Sequence, residues 1–245
     1  MTKRYGLIGK NIDYSFSRNY FTERFKKKRD NKSIYVNFDI ENITLFPSLQ
    51  EEYQDIKGLN VTIPYKQAII PYLDEVSKIA KKIGAVNTIQ ISKKGKLKGY
   101  NTDWYGFYYS LKPLLKFQHK KALILGTGGA SKAIEYALTK LKIQYLLVSR
   151  TKQEGVITYE DIDANLMSEY TIVINTTPVG TFPNIKDKPQ LDYSLFTPKH
   201  IAYDLIYNPE ETTFLRLAKE HGAKTKNGYE MLVLQAERAW EIWNK

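Results

Sequence analysis

The sequence contains no cysteine among its 245 residues, which excludes disulfides, thiolate zinc sites and a cysteine nucleophile. This absence is typical of the reducing cytoplasm, where we expect the protein to act. The three histidines, His119, His200 and His221, are far apart and lack metal-ligand spacing, so we predict no metal site. No apolar run approaches the ~20 residues of a membrane span, and the N-terminus lacks the long apolar region of a signal peptide.

The charge balance is strongly basic, with 37 Lys and Arg against 26 Asp and Glu and a net charge of +11. Such a surplus suits nucleic acid, an anionic membrane or an anionic small ligand. The dense run Lys26–Arg29 ends a predicted helix, where cations favour the helix dipole. No zinc-finger, RNA-recognition or basic-zipper pattern is present. We therefore expect a small-molecule ligand and no nucleic-acid or membrane partner.

Strand patterns alternate with helix patterns along the chain, which indicates an α/β fold. The first half contains predicted strands at residues 5–8, 34–38, 58–63, 86–91 and 97–100. A helix capped by Ser17 should run to about Lys28, a second should carry Pro47 in its first turn, and helical stretches should reach Lys82. Another helix is predicted over residues 103–115.

The second half begins with a glycine-rich segment, GTGGAS, from Gly126 to Ser131. An apolar strand precedes it at residues 122–125, a helix follows at 132–141, and a second strand follows at 145–148. In such a βαβ unit the backbone amides and the positive helix end can bind a pyrophosphate. The glycine motif alone would be weak, but the complete unit favours a dinucleotide site over a plain tight turn.

The end of the second strand of this unit indicates which dinucleotide binds. A NAD site usually places Asp or Glu there, to bind the ribose 2′-hydroxyl. Here the segment is Ser149, Arg150, Thr151 and Lys152, with no acid. Two cations and a hydroxyl suit a 2′-phosphate. We therefore predict NADP as the cofactor, with two solvated basic residues as the alternative.

Small polar residues cluster at four other strand ends or helix starts. The segment NVTIPYK alternates Asn60 and Thr62 with apolar residues, which predicts that both face one side of a strand, with Lys66 just beyond. The other clusters are Asn87 in GAVNTI, Asn101 and Asp103 in GYNTDWYGF, and Ser15 and Ser17 in SFS. Each cluster taken alone fits a turn or a helix cap.

Taken together, these motifs resemble the shikimate dehydrogenase family nearly end to end. The segments that carry the resemblance are SFS, NVTIPYK, GAVNTI, NTDWYGF, GTGGAS, SRT, NTTPVG, DLIYNPEETTFL and GYEMLVLQA. The resemblance implies a shikimate-binding α/β domain with a mixed sheet at residues 1–103 and a Rossmann-type NADP domain at 104–228. It also implies that the last helix, 229–245, packs on the substrate domain, and that the active site lies between the domains. The protein would be a monomer or homodimer.

The resemblance also implies roles for individual residues. Ser15, Ser17 and Thr62 would bind the substrate carboxylate, while Lys66, Asn87, Asp103 and Gln235 would contact its ring hydroxyls, with Tyr207 nearby. The cofactor residues would be Gly126, Thr127, Gly128, Gly129, Ala130, Ser149, Arg150, Thr151, Lys152, Thr176, Leu205 and Gly228. Reduction of the 3-dehydroshikimate ketone to shikimate needs a hydride from NADPH and a proton, and Lys66, oriented by Asp103, would supply the proton.

Some positions depart from the family pattern. Tyr14 and Arg18 stand where the family often has His and Pro, and Ser149 stands where it has Asn. Because quinate-accepting relatives differ near the paired serines, activity on quinate stays open. A non-catalytic NADP-binding redox regulator and a methylene-tetrahydrofolate dehydrogenase-like enzyme are further alternatives. The presence of both Lys66 and Asp103 disfavours the regulator, and the paired serines with the GYNTD turn favour shikimate.

Overall fold

The structure is a computed structural model that describes residues 2–13 and 15–245. The chain divides into two compact units, Met1–Thr102 with Ala236–Lys245, and Asp103–Gln235. We refer to them as unit 1 and unit 2. The division falls between Thr102 and Asp103 and again inside the last helix, whereas the sequence placed the boundaries after Asp103 and before Tyr229. Each unit contains a six-stranded sheet with helices, so the predicted α/β class is confirmed.

The sheet of unit 1 is mixed, with the order β2-β1-β3-β5-β6-β4. Strand β1 pairs in parallel with β2 and β3, whereas β5 is antiparallel to both β3 and β6, and β4 runs parallel to β6. The strands are β1 Lys3–Gly9, β2 Ser33–Asp39, β3 Ile56–Val61, β4 Glu75–Val76, β5 Thr88–Ile91 and β6 Leu97–Tyr100. The hairpin of β5 and β6 matches its prediction, but the two-residue β4 was not predicted.

Three helices flank this sheet, namely α1 Phe16–Lys27, α2 Phe46–Glu52 and α3 Lys78–Ile83, with short 3₁₀ turns at Ile43–Leu45 and Ile70–Tyr72. The prediction that Ser17 caps the first helix is wrong. Helix α1 begins two residues earlier, and Ser15 is its N-cap, because the Ser15 hydroxyl accepts the backbone N–H of Ser17. Pro47 does lie in the first turn of α2, where its missing N–H costs no hydrogen bond.

Two predicted strands of unit 1 have different bounds from those expected, since β3 ends two residues earlier and β5 begins two residues later. Strand β3 ends at Val61 because Thr62 already opens a turn, in which its carbonyl accepts the Tyr65 N–H at 2.9 Å. Thr62 therefore follows the strand rather than lying in it. Strand β5 begins at Thr88, so Asn87 immediately precedes the strand that was expected to contain it.

The sheet of unit 2 is entirely parallel, with the order β12-β11-β10-β7-β8-β9. Its strands are β7 Lys121–Leu125, β8 Gln144–Ser149, β9 Val156–Thr158, β10 Ile172–Asn175, β11 Ile201–Asp204 and β12 Lys224–Lys226. Strands β7, β10 and β11 are almost continuously apolar and, apart from Lys121, buried, as expected where helices cover both faces of a parallel sheet. This topology confirms the predicted Rossmann-type half.

The helices that accompany unit 2 are α4 Asp103–Leu111, α5 Gly129–Lys140, α6 Ala164–Glu169, α7 Thr213–Glu220 and α8 Tyr229–Trp243, with 3₁₀ turns at Lys112–Leu114, Tyr159–Asp161 and Tyr193–Leu195. Helix α4 ends before the predicted residue 115 because Pro113 cannot donate a helical hydrogen bond. Helix α5 starts at Gly129, three residues earlier than predicted. Over residues 2–13 and 15–245, no helix is long and apolar enough to cross a membrane.

The last turns of α8 belong to unit 1 and complete an aromatic cluster there. The indole of Trp243 donates to the Ile89 carbonyl at 3.0 Å and lies 5.1 Å from the ring of Tyr5 and 5.3 Å from that of Phe21. Glu237 of α8 accepts hydrogen bonds from Tyr20 and Arg24 of α1. Aromatic contacts and charge-assisted bonds therefore join the C-terminal residues to α1 and the sheet.

A single glycine makes room for this cluster, which gives a test of the packing. A Cβ at Gly58 would overlap the Trp243 ring. We expect Gly58→Ala to lower the free energy of unfolding by about 1–3 kcal/mol, the usual cost of overpacking a core. The measurement is urea unfolding followed by circular dichroism. Lys57→Ala on the same strand changes an exposed side chain and should be nearly neutral. Equal costs for Gly58→Ala in the wild type and in Trp243→Leu would contradict this explanation.

Candidate active site

Polar residues of unit 1 gather at one edge of its sheet. Strands β1, β2 and β3 are parallel and end at this edge, and the antiparallel β5 begins there, since Asn60 near the end of β3 pairs with Thr88 at the start of β5. Thr62 follows β3 and Asn87 precedes β5. The topology thus brings Asn60, Thr62 and Asn87 to the edge where open α/β sheets bind ligands.

The side-chain amide of Asn87 is buried and held in one orientation. Its Oδ1 accepts the backbone N–H of Thr102 at 2.6 Å and the Thr88 hydroxyl at 3.1 Å, and its Nδ2 donates to the Thr102 hydroxyl at 3.1 Å. Asn87 is 3% exposed and Thr88 and Thr102 are fully buried. Because buried amides must be hydrogen-bonded, these contacts fix which end of the Asn87 side chain carries the donor.

A buried hydrogen-bond chain extends this network towards α1. The Tyr35 hydroxyl donates to Oδ1 of Asn60 at 2.8 Å, and Nδ2 of Asn60 contacts the Asn87 carbonyl and the Thr88 hydroxyl, both at 3.3 Å. Burial raises the pKa of the Tyr35 phenol above its ordinary value, and nearby Ser17 opposes this shift only in part. Tyr35 therefore stays a neutral donor. Asn60 was predicted as a polar residue of the NVTIPYK strand without a binding role, and Tyr35 was not predicted.

Lys66 lies half-buried in the turn after β3, and hydrogen bonds anchor its own carbonyl and the preceding residue. Its carbonyl accepts the Val86 N–H at 2.7 Å, and the hydroxyl of buried Tyr65 donates to the Ile40 carbonyl at 2.7 Å. The backbone of Lys66 is thereby tied to the segment that leads into Asn87. Ser15 and Ser17 lie at the start of α1, and Tyr14, the departure noted beside them, lies outside the described residues.

Unit 2 carries the other three predicted substrate residues. Asp103 is the first residue of α4, and Gln235 is a buried residue of α8. The two helices approach closely at Gly106, one turn after Asp103, because a Cβ there would overlap the Met231 carbonyl and lie 3.2 Å from the Gln235 Cβ. Tyr207 is half-buried, three residues after the end of β11.

The glycine-rich turn after β7 has the shape expected for a phosphate site. Gly126 adopts a φ of +105°, which favours glycine, and its N–H donates to the Val148 carbonyl at 2.8 Å. A Cβ on Gly128 or Gly129 would meet no atom within 4 Å, so open space lies beside the start of α5. The first turn and the positive dipole end of that helix border this open space, an arrangement that favours binding of an anion.

A cavity of about 690 Å³ lies against this turn in unit 2. The predicted cofactor residues that line it are Gly126, Thr127, Gly128, Ser149, Arg150 and Thr176, whereas Gly129, Ala130, Thr151, Lys152, Leu205 and Gly228 do not. Its other lining residues are Val148, Tyr159, Thr177, Pro178, Val179, Lys186, Asp187, Lys188, Pro189 and Gln190. No motif indicated the segment Lys186–Gln190, because it is distant in the chain from the glycine turn and its approach to the cavity depends on tertiary folding.

The carboxyl end of β8 carries cations and hydroxyls but no acid. Ser149 ends the strand, and its hydroxyl accepts the Thr151 N–H at 3.3 Å. This hydrogen bond closes a turn around Arg150, which is exposed. Thr176 lies opposite, with its hydroxyl donating to the Leu125 carbonyl at 2.7 Å. The backbones of Leu205 and Gly228 also lie in close contact, since a Cβ on Gly228 would overlap the Leu205 backbone.

A buried carboxylate at the end of β11 joins the loops of this edge. Asp204 is fully buried and accepts hydrogen bonds from Nδ2 of Asn175 at 3.1 Å, the Ile206 N–H at 3.0 Å and the Thr212 hydroxyl at 2.6 Å. Burial raises the pKa of Asp204 to about 7, and its three donors oppose that shift. Asn175 in turn accepts from Thr177, which lines the cavity.

The titration of Asp204 should be measurable as a dependence of stability on pH. Its folded pKa of about 7 exceeds the roughly 3.9 of an unfolded aspartate, so the folded state binds more protons between these values. Its contribution to the free energy of unfolding should therefore fall as pH rises through this window, by up to about 1.4 kcal/mol per pH unit. Asp204→Asn removes the titration.

Urea unfolding of the wild type and Asp204→Asn across this range checks the sign. The stability advantage of the wild type should shrink from about pH 4 to about pH 7 and then stay constant. Glu160→Gln, which alters an exposed carboxylate of the same unit, is the control. A difference between wild type and Asp204→Asn that does not change with pH would show that the carboxyl does not titrate there.

Comparison with known proteins confirms the resemblance read from the sequence. Residues 7–89 match the shikimate dehydrogenase substrate binding domain. A shikimate dehydrogenase (NADP(+)) of Methanosphaera stadtmanae is 39% identical over 256 residues, which cover 97% of this chain and 90% of that protein.

Two crystal structures show the same similarity in three dimensions. Shikimate dehydrogenase from Aquifex aeolicus matches with a TM-score of 0.87 and 36% identity, covering 99% of this chain and 92% of that one. The Thermus thermophilus enzyme, solved in complex with NADP(H) and shikimate, matches with a TM-score of 0.86 and 31% identity, covering 99% and 93%. With near-complete coverage at such identities, the chain belongs to the shikimate dehydrogenase family.

Proposed function

We propose that this protein catalyses the reversible NADPH-dependent reduction of 3-dehydroshikimate to shikimate. The main support for the proposal is the cavity of unit 2. A glycine turn and Arg150 both line this cavity, and the end of β8 carries no acid. Family membership over the whole chain supplies the substrate class. In this assignment unit 1 is the shikimate-binding domain and unit 2 is the NADP-binding domain.

The residues of the cavity fit a phosphorylated dinucleotide. The empty positions beside Gly128 and Gly129 leave room for a pyrophosphate at the start of α5, and the guanidinium of Arg150 suits bidentate contact with a 2′-phosphate. Thr151 and Lys152 follow at the same loop and would add a hydroxyl and a second cation. When bound, NADPH supplies the hydride. We assign Thr127, Ala130, Ser149, Thr176, Leu205 and Gly228 to the remaining cofactor contacts.

The substrate carries a carboxylate and ring hydroxyls, and the polar residues divide accordingly. We assign Ser15, Ser17 and Thr62 to the carboxylate, because hydroxyls at a helix start suit an anion. We assign Asn87, Asp103 and Gln235 to the ring hydroxyls, with Tyr207 nearby. The fixed amide of Asn87 supports this assignment, since an oriented amide can discriminate between a donor and an acceptor on the ring.

Lys66 and Asp103 are the proposed proton-transfer pair. As an ammonium, Lys66 donates a proton to the ketone oxygen and stabilises negative charge that develops there. In the reverse direction the neutral amine accepts the proton of the hydroxyl. Asp103 would orient the ammonium and bind a neighbouring hydroxyl. The backbone anchoring of Lys66 through Val86 supports this role, because a proton donor must be held in position.

Replacing the lysine tests the assignment. We expect Lys66→Ala to lower kcat by about 10²–10⁴-fold, the usual value of general acid–base catalysis, with a smaller change in the KM for shikimate. The measurement is NADPH formation at the absorbance band of the reduced nicotinamide, with shikimate and with quinate. Lys57→Ala, which alters an exposed lysine of the same unit, is the matched control.

Three outcomes would change the conclusion. A folded Lys66→Ala protein with near wild-type kcat would refute the catalytic role. A wild type that binds NADP but turns over neither substrate would favour a redox regulator. Comparable kcat/KM on quinate would extend the assignment to a quinate/shikimate dehydrogenase.

Cofactor preference is tested at Arg150. Arg150→Ala should raise the KM for NADPH by roughly tenfold or more, because charge-assisted hydrogen bonds contribute about 1.5–3 kcal/mol, while the KM for NADH should change little. Steady-state kinetics with both cofactors gives the two values. Arg216→Ala is the matched control, since Arg216 pairs with Glu220 on the surface of the same unit. Equal use of NADH and NADPH by the wild type would contradict NADP specificity.

A further inference from the structure

We propose that Lys186 and Lys188 form a second cationic arm of the cofactor site and, with Arg150, recognise the 2′-phosphate of NADP. The proposal rests on the proposed function in one respect, that NADP binds in the cavity of unit 2. It adds residues that neither the glycine motif nor the segment after β8 indicates.

The cavity has two walls that come from distant parts of the chain. One wall consists of the turn Gly126–Gly128 and the end of β8 with Arg150. The second wall includes the segment Lys186–Gln190, from the long connection between β10 and β11. A ligand held by the glycine turn and Arg150 would therefore have this segment beside it. Since NADP is strongly anionic, the two lysines are the groups on that wall with the most to contribute.

The lysine segment is built into unit 2 by contacts on both sides. The Thr213 hydroxyl donates to the Ile185 carbonyl at 2.9 Å, just before the segment. The Tyr193 hydroxyl donates to the carbonyl of buried Pro189 at 3.0 Å, just after Lys188. A Cβ on Gly180, which has a φ of +97°, would lie 2.9 Å from the Asp187 carbonyl oxygen. The backbone that carries the lysines is thereby positioned against the cavity.

An apolar cluster joins Lys188 to the part of the cavity that Arg150 lines. Its ammonium is 5.0 Å from the centre of the Tyr193 ring. Tyr193 packs in one apolar cluster with Tyr159, and Tyr159 lines the cavity beside Arg150. The positive charge of Arg150 also opposes the rise that burial causes in the pKa of Tyr159, as expected for close neighbours. Two tyrosines thus connect Lys188 to the residue assigned to the 2′-phosphate.

The charges of the two lysines are available to a ligand. Among the ion pairs of residues 2–13 and 15–245, none includes Lys186, Lys188 or Arg150. A phosphate monoester carries a charge of about −1.5 to −2 at pH 7, so one guanidinium alone does not neutralise it. A flexible lysine can follow such a group as a point charge, whereas Arg150 supplies the planar contact.

The test compares ligands that carry the 2′-phosphate with ligands that lack it. Isothermal titration calorimetry with adenosine 2′,5′-bisphosphate and with 5′-ADP gives binding without turnover, and KM values for NADPH and NADH give the same contrast in the working enzyme. For Lys186→Gln/Lys188→Gln we expect affinity for the 2′-phosphorylated ligands to fall on the order of tenfold, with 5′-ADP and NADH unchanged within about twofold. The loss should diminish at high salt, because both lysines are exposed.

Matched variants separate charge from packing. Lys188→Arg keeps the cation and should retain affinity for adenosine 2′,5′-bisphosphate. Lys224→Gln removes an exposed lysine of the same unit that does not line the cavity and should have no effect.

The proposal is overturned if the double variant binds both ligands as the wild type does. It is also overturned if affinity for 5′-ADP falls as much as affinity for the 2′-phosphorylated ligand, since the lysines would then contact the pyrophosphate. A wild type that binds neither adenosine 2′,5′-bisphosphate nor NADPH would instead refute NADP binding in this cavity, and with it the proposed function.

Discussion

Parallel strand pairing is the constraint on which both candidate sites depend. In unit 1, β1 pairs in parallel with β2 and β3, so the segments after Gly9, Asp39 and Val61 leave the sheet at one edge. In unit 2, Leu125, Asn175 and Asp204 are aligned across β7, β10 and β11. Because each strand then needs a connection at the same edge, turns from distant parts of the sequence are placed side by side. No short-range signal could produce this grouping.

Buried polar side chains convert these grouped turns into defined geometry. A buried amide or carboxylate without partners would cost several kcal/mol, so Asn60, Asn87 and Asp204 must be hydrogen-bonded in the folded state. Their partners lie on different elements, and satisfying them fixes those elements relative to one another within each unit. Such residues contribute little net stability. Their main effect is to leave only one arrangement of the surrounding loops that satisfies every group.

The sequence predicted the parts of each site that are contiguous in the chain. The strand, glycine turn and helix around Gly126 follow from local periodicity and glycine chemistry. The end of β8 could also be predicted, because Arg150 occurs there without an acid at the expected distance in sequence from that turn. The helix cap at Ser15 was assigned two residues too late, because Ser15 and Ser17 are chemically equivalent and only the backbone geometry distinguishes them. The early end of β3 was missed because Thr62 and Ile63 have strong strand propensity, yet the turn that reaches Tyr65 takes precedence.

What the sequence could not predict is contact between distant segments. Tyr35 reaches Asn60 from β2, and Gly58 accommodates Trp243 from the last helix; neither relation has a pattern in the chain. The same holds for Lys186 and Lys188. In the sequence they are indistinguishable from solvated lysines on either side of Asp187, and only the folded unit shows that they line a cavity.

The structure shows where part of the chain's excess positive charge lies. Several cations are paired with carboxylates, as Arg4 is with Asp55 and Lys121 with Glu169. Arg150, Lys186 and Lys188 have no such partner in the part of the chain that the structure describes, and all three line one cavity of about 690 Å³. A nucleic-acid surface needs cations spread along an open track, whereas cations that converge on a cavity of this size suit the phosphates of a single small ligand. The positions of the charges, more than their number, therefore favour an anionic small ligand among the three partner classes that the net charge suits.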